Sequence, residues 1–381
     1  MRKFNSISMD EYRLDCRHLV QQLPCQYHKK SGQTCPTCDH YEPIQTNILI
    51  IKVGAMGDVL RTTTILPALK KKYSLSRITW VTQQDSYELL LSNPYIDNIL
   101  VAERAVTFPV LLAEEYATAI NLDIDPHGSA LLKLCHAQEK LGYVLDNHGG
   151  IRPASVEAEE WFEMSIDDRL KRANKKTYQE HIFRICQLPY NKERPLLTLT
   201  DAMKTFSQET CQQYSLSDQD IIVGIHSGAG NRWENKKWTL EGYNFLIESL
   251  LGDSPLIKVI LFGGDAEQCR NKHIQQRFPE RVYNINTQNN LSGLIGLIGI
   301  CRVLVCSDTL PLHIATALKV PVVAIFGPTS HHEIELYELG TKIVSEIDCL
   351  CCYQQRCKRE PNCMQMVDPE LVVRGVWEFV K

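Results

Sequence analysis

A chain of 381 residues is long for one domain and comfortable for two, and 44 % hydrophobic with 23 % charged residues is an ordinary soluble composition. A formal net charge of −4 offers no basic field to nucleic acid. The most apolar stretch, 291–306, is broken by Arg302 and too short to span a bilayer, and MRKFNSISMDEYRLD lacks the apolar core of a signal peptide. A cytoplasmic protein is expected, touching a membrane only at its surface.

Residues 1–43 are polar and carry Cys16-x8-Cys25-x9-Cys35-x2-Cys38. Clustered cysteines without a secretory signal point to metal rather than disulfides. Four thiolates of this kind can close a tetrahedral site around zinc or hold iron, and in so small a segment the metal would supply the folding energy.

From residue 47 strands and helices alternate. NILIIKV is a short β-branched run that suits a strand covered on both faces. Gly54 and Gly57 turn the chain into a helix in which Val59, Leu60, Thr63, Leu66 and Leu69 keep a helical spacing, with Pro67 as an expected kink. Asp58 stands at the mouth of that helix, and by position alone it reads as a helix cap. RITWVT and NILVA are further strands, a fourth is expected over 118–124, a helix over 129–140, and LGYVLD as another strand. A polar, mostly helical stretch follows to residue 200.

The pattern restarts near Asp220. IIVGIHSGAG, IKVILFGG, RVYNIN, RVLVCSD and VPVVAIFGPTS read as strands running into turns, with helices between them. Asp368 and Pro369 open a terminal helix. Strands alternating with helices imply parallel sheets, whose carboxyl edges collect ligands. At that edge HSGAGNRWENKKW offers backbone N–H groups with Arg232, Lys236 and Lys237; FGGDAEQ offers Asp265 and Glu267; CSDTLPLHIA offers Asp308 before a helix N-terminus; FGPTS offers Thr329 and Ser330. Backbone amides beside a lysine suit an anion such as phosphate. No G-x-G-x-x-G or G-x-x-x-x-G-K-[ST] pattern is present, which argues against a nicotinamide dehydrogenase or P-loop ATPase.

The runs IKVGAMGDVLRTTTILPALKKKY, HSGAGNRWENKKW and VCSDTLPLHIATALKVPVVAIFGPT, in this order, resemble the family nine glycosyltransferases, the heptosyltransferases of lipopolysaccharide core and their relatives. The resemblance runs from about residue 47 to the C-terminus. It implies a GT-B α/β fold, with an acceptor domain (44–205) and a nucleotide-sugar domain (206–381), the two Rossmann-like halves facing a cleft; the cysteine-rich extension (1–43) lies outside the resemblance. It implies an inverting transferase that uses no catalytic metal. Asp58 matches the family's general base, with Gly57 and Arg61 beside it on the acceptor side. Lys236 matches the lysine that binds donor phosphate, Glu267 the acidic residue at the nucleoside, and Asp308, Thr309 and His313 the motif at the donor diphosphate, with Gly228 on the same side. Leu310 stands where the family usually has glycine.

Cys349-x2-Cys352-x4-Cys357-x5-Cys363 before Met364 resembles a cysteine pattern of many members, and its spacing allows zinc or iron equally; Cys351 is a spare thiol. The implied function is transfer of heptose from ADP-heptose to a lipopolysaccharide or surface-glycan hydroxyl at the cytoplasmic face of the inner membrane. A protein-glycosylating heptosyltransferase and a non-catalytic nucleotide-sugar binding protein are the alternatives.

Overall fold

The computed structural model describes residues 8–19, 23–230, 233–287 and 290–381. Contacts divide the chain into two compact units, one of Met1–Val53, Leu66–Gln84 and Pro94–Ser155, the other of Gly54–Ile65, Asp85–Asn93 and Val156–Lys381.

The first unit holds a six-stranded sheet. Its strands are β1 (Thr46–Ile51), β2 (Ser76–Thr82), β3 (Asn98–Val101), β4 (Glu115–Asn121), β5 (His136–Leu145) and β6 (Ile151–Pro153). They lie in the order β3-β2-β1-β4-β5-β6. All pairs are parallel except β5 with β6, and β1 sits at the reversal of strand order, with Ile48 opposite both Ile78 and Thr118. The unbroken apolar run of β1 follows from burial on both faces: Leu49 and Ile51 enter a core with Val81, Tyr116, Ala119 and Leu132.

Two local expectations shift. The fourth strand covers Glu115–Asn121 rather than 118–124, and the helix expected over 129–140 ends at Leu134. Cys135 turns extended and β5 begins at His136. Exposure alternates along His136, Ala137, Gln138 and Glu139, a period-two pattern that the polar, helix-compatible composition concealed.

The second unit repeats the architecture. Its strands are β7 (Ile221–His226), β8 (Ile257–Gly263), β9 (Val282–Asn286), β10 (Val303–Ser307), β11 (Val322–Phe326) and β12 (Gly340–Val344). Their order is β12-β11-β10-β7-β8-β9, and every pair is parallel. Strand β12 lies outside the elements expected from sequence. The order reverses between β7 and β10, which opens a crevice at their carboxyl ends. One sheet face packs Val223, Ile225, Leu246, Ile247 and Val376 of the terminal helix Pro369–Val380. The opposite face packs Leu304, Leu312, Ala324 and Phe326 together with Leu60.

Leu60 lies on the helix Met56–Thr62, and its burial is worth about 1.5–3 kcal/mol. That anchor groups the helix after β1 with the second sheet. The kink expected at Pro67 appears as a 3-10 turn, Thr63–Ile65, between two helical segments.

Candidate functional site

A cavity of about 660 Å3 lies wholly within the second unit. Its floor is built from strand ends. Beyond β10, Asp308 precedes Thr309, the N-cap of the helix Leu310–Leu318. The short turn Glu234–Lys236 brings Lys236 Nζ to Asp308 Oδ2 at 2.7 Å and to its backbone oxygen at 2.9 Å. Thr329, from the turn after β11, donates to the same carboxylate at 2.8 Å.

Burial alone would raise the pKa of Asp308; Lys236, His313 and Arg61 outweigh it and hold the carboxyl well below the usual range. His313 Nε2 stands 4.0 Å from Asp308 Oδ1. Burial, and then the Arg61 charge, push His313 down to about 4, so its imidazole is neutral at neutral pH.

The helix Met56–Thr62 supplies the opposite wall. Its N-cap is Ala55, so Asp58 occupies the third helical position and does not cap. Instead Asp58 Oδ1 accepts from Arg61 Nε at 3.0 Å and pairs with its second nitrogen at 2.8 Å. The guanidinium lies 3.8 Å from the centre of the Tyr178 ring. Burial works against the charge of Arg61, but Asp58, Tyr178, Asp308 and Glu333 outweigh it and raise its pKa. Gly57 is held by close approach: a Cβ there would lie 2.6 Å from His313 Cδ2. A side chain at position 57 would therefore push this helix and His313 apart.

Glu267 takes a different place. Its Oε1 accepts from the Gly230 N–H at 3.3 Å and its Oε2 from the Gly264 N–H at 3.0 Å, tying the loop after β7 to the loop after β8. It is buried behind those loops and lines, with Gly228, a separate cavity of about 390 Å3. A Cβ on Gly228 would lie 2.0 Å from Glu267 Oε1, so only glycine fits.

Of the sequence candidates, Gly57, Asp58, Arg61, Lys236, Asp308, Thr309 and His313 line the main cavity, as does Leu310. Glu267 and Gly228 brace its rim, and Arg232 falls outside the described residues. Sequence reasoning passed over Glu333 and Tyr353, which also line it. Burial raises the pKa of Glu333, whose Oε1 accepts from the Tyr353 hydroxyl at 2.8 Å. The only sequence signal for Glu333 was its place three residues after the FGPTS turn.

The cysteine expectations meet a different geometry. All eight cysteines of the two clusters carry free thiols. Cys25 caps a short helix, its sulfur 3.5 Å from the His28 N–H, and Cys16 forms an isolated bridge with Pro43. At the C-terminus, burial and then the thiols of Cys352, Cys357 and Cys349 push Cys363 up to about 11, so these four sulfurs share a neighbourhood. Among the described residues no group of three or more Cys, His, Asp or Glu is arranged to hold a metal. Spacing sets how far apart ligands lie along the chain; it does not set where their sulfurs point, and as placed neither cluster closes a zinc or iron site.

Chemically, the main cavity joins two partly buried ion pairs, a helix N-terminus and glycine-rich loops in one crevice. Such a surface offers cations and backbone donors to an anion beside a positioned carboxylate. No helix among the described residues is long and apolar enough to cross a membrane.

Residues 110–363 match the family described as Glycosyltransferase family 9 (heptosyltransferase). Lipooligosaccharide heptosyltransferase 2 of Haemophilus influenzae is 30% identical over 179 residues, 42% of this chain and 50% of that protein. The corresponding protein of Campylobacter jejuni is 28% identical over 166 residues, 41% of this chain and 50% of that protein. Over these alignments the chain spans about half the length of the curated relatives it matches. Among solved structures, the family 9 glycosyltransferase of Veillonella parvula matches at a TM-score of 0.71 with 17% identity, over 88% of this chain and 97% of that one. The Escherichia coli ADP-heptose lps heptosyltransferase II matches at 0.65 with 20% identity, over 88% of this chain and 98% of that one. These structures share the fold, with its two parallel-dominated sheets, and the match over residues 110–363 shows that the chain belongs to glycosyltransferase family 9.

Proposed function

We propose that this protein is an inverting, metal-independent glycosyltransferase that moves heptose from ADP-heptose to a hydroxyl of a lipopolysaccharide or other surface-glycan acceptor, working at the cytoplasmic face of the inner membrane. The observation that carries the reading is the gathering of Asp58, Lys236, Asp308 and His313 around one cavity. The names of the similar proteins, heptosyltransferases among them, support heptose as the sugar and ADP as its carrier.

In this reading the diphosphate lies against Lys236 and the N-terminus of the helix Leu310–Leu318. Asp308 fixes the lysine from beneath, and neutral His313 contributes a hydrogen bond rather than a full charge. The acceptor hydroxyl attacks the anomeric carbon from the Asp58 side. The new C–O bond forms as the bond to the β-phosphate oxygen breaks, the hydroxyl proton passes to Asp58, and ADP leaves with the bonding pair. Arg61 orients the Asp58 carboxylate through Oδ1. Charge that develops on the leaving diphosphate is met by Lys236 and the helix amides, groups already in place before reaction.

Replacing Asp58 with alanine is expected to lower transfer by ~10²–10⁴ while ADP still shifts the melting temperature as in the wild type. ADP release from ADP-heptose in the presence of acceptor, followed alongside that shift, checks it. Turnover that survives in Asp58→Ala would return the residue to a structural part. Nucleotide binding by the wild type with no release under any acceptor would mark a binding protein instead.

A further inference from the structure

Three carboxylates face the main cavity, and two of them are already matched by cations. Asp58 is paired to Arg61 at 2.8 Å and Asp308 to Lys236 at 2.7 Å. Glu333 is different: among the described residues the one hydrogen bond to its carboxylate is from the Tyr353 hydroxyl to Oε1 at 2.8 Å, and it has no ion pair within 4.0 Å. A half-buried carboxylate with no cation is costly unless something else donates to it.

The pair is held in place deliberately. Tyr353 sits at φ +55° and Cys351 at φ +59°, left-handed conformations that bulky residues rarely adopt. Their N–H groups donate to Pro328 at 2.8 Å and Gly327 at 3.1 Å, pinning the cysteine-rich segment along the turn after β11. The Lys171 ammonium lies 4.6 Å from the centre of the Tyr353 ring. The segment whose cysteine spacing allows zinc or iron thus delivers a tyrosine to the cavity wall.

Glu333 also lies within electrostatic reach of both Arg61 and Asp308. It lines the same cavity as Asp58 and Lys236. A carboxylate repels phosphate, so it marks the part of the cavity that receives the uncharged portion of a ligand. A sugar ring presents hydroxyl donors there, and carboxylate oxygens accept them well.

We propose that Glu333, braced by Tyr353, is the specificity residue for the transferred sugar, accepting a hydrogen bond from a hydroxyl of the glycosyl group while Lys236 holds the diphosphate. This rests on the transferase reading. It makes Glu333 a binding residue that acts on the sugar and leaves the nucleotide untouched.

Titration calorimetry of the full chain with ADP and with ADP-heptose tests it. Glu333→Ala is expected to weaken ADP-heptose by about 10- to 100-fold, the range of a hydrogen bond to a charged group, with ADP affinity within about twofold of wild type. Tyr353→Phe, which keeps the ring and removes only the brace, is expected to move the same ratio in the same direction by less. Equal losses for ADP and ADP-heptose in Glu333→Ala would show a structural part only, and an unchanged ratio would overturn the assignment with the transferase reading intact. A wild type that binds ADP-heptose no more tightly than ADP would overturn both.

Discussion

Each unit places a lysine against an aspartate at the end of its sheet, and the two pairs lead different lives. In the first unit Lys52, just beyond β1, pairs with Asp123, just beyond β4, and both are buried. The Lys52 ammonium also donates to the Leu122 carbonyl at 3.3 Å, and Asp123 accepts from the Val53 N–H at 2.5 Å. In the second unit Lys236 and Asp308 make the same kind of contact but line a cavity. One pair closes a sheet edge and the other leaves it open to a ligand. The same residue types at the same topological point can be a strut or a binding surface, and access decides which.

Breaking the closed pair should have the largest effect on stability. Lys52→Met leaves Asp123 charged in the interior, and a loss of about 3–5 kcal/mol is expected in denaturant unfolding. A loss below about 1 kcal/mol would mean that water reaches this edge after all.

Acidification should come next. His181 and His313 are both pushed down to about 4, in each case first by burial. Their unfolded forms take up protons near 6.5, so between those values the unfolded state binds more protons and stability falls as pH falls. Each contributes on the order of 3 kcal/mol across that window. Asp308, held below the ordinary carboxylate range, adds a further loss only at lower pH, as the pH approaches its depressed folded value. His226 and His331 are also pushed down, each first by burial, so His181→Gln, a change outside the cavity, is expected to remove only a part of the slope measured between pH 7 and 5; an unchanged slope would place the protons elsewhere.

The smallest stability change is expected from Gly57→Ala. Its methyl group would meet the His313 ring at 2.6 Å, and the adjustment should cost about 1–3 kcal/mol. Because the shift separates Asp58 from His313, transfer should fall further than stability alone explains. Full activity with lowered stability would argue that the two walls need not keep their spacing.

Much of the site was legible because it sits at strand ends. Asp58, Lys236 and Asp308 each follow a glycine turn or a short apolar strand, where sequence period and backbone chemistry agree. The cap reading of Asp58 failed because the helix starts earlier, at Met56, which moves the carboxylate to the third position and within reach of Arg61. Glu333 and Tyr353 lie in irregular chain between β11 and the terminal helix, where no period marks them and the cysteines dominate the pattern. Glu267 followed a paired glycine as expected, yet its side chain turns back to bond backbone N–H groups, a choice set by tertiary packing. The helix expected through residue 140 shows the same limit: a strand rich in charged residues reads as helix until a neighbouring strand pairs with it.

The comparison of the two lysines provides the most direct measurement. ADP affinity and melting temperature are determined for the wild type, Lys236→Met and Lys52→Met. Lys236→Met is expected to weaken ADP by roughly 10- to 100-fold with a modest change in melting temperature, and Lys52→Met to lower the melting temperature while the folded protein binds ADP as the wild type does. ADP affinity left unchanged by Lys236→Met would contradict the assignment of this cavity to a nucleotide diphosphate.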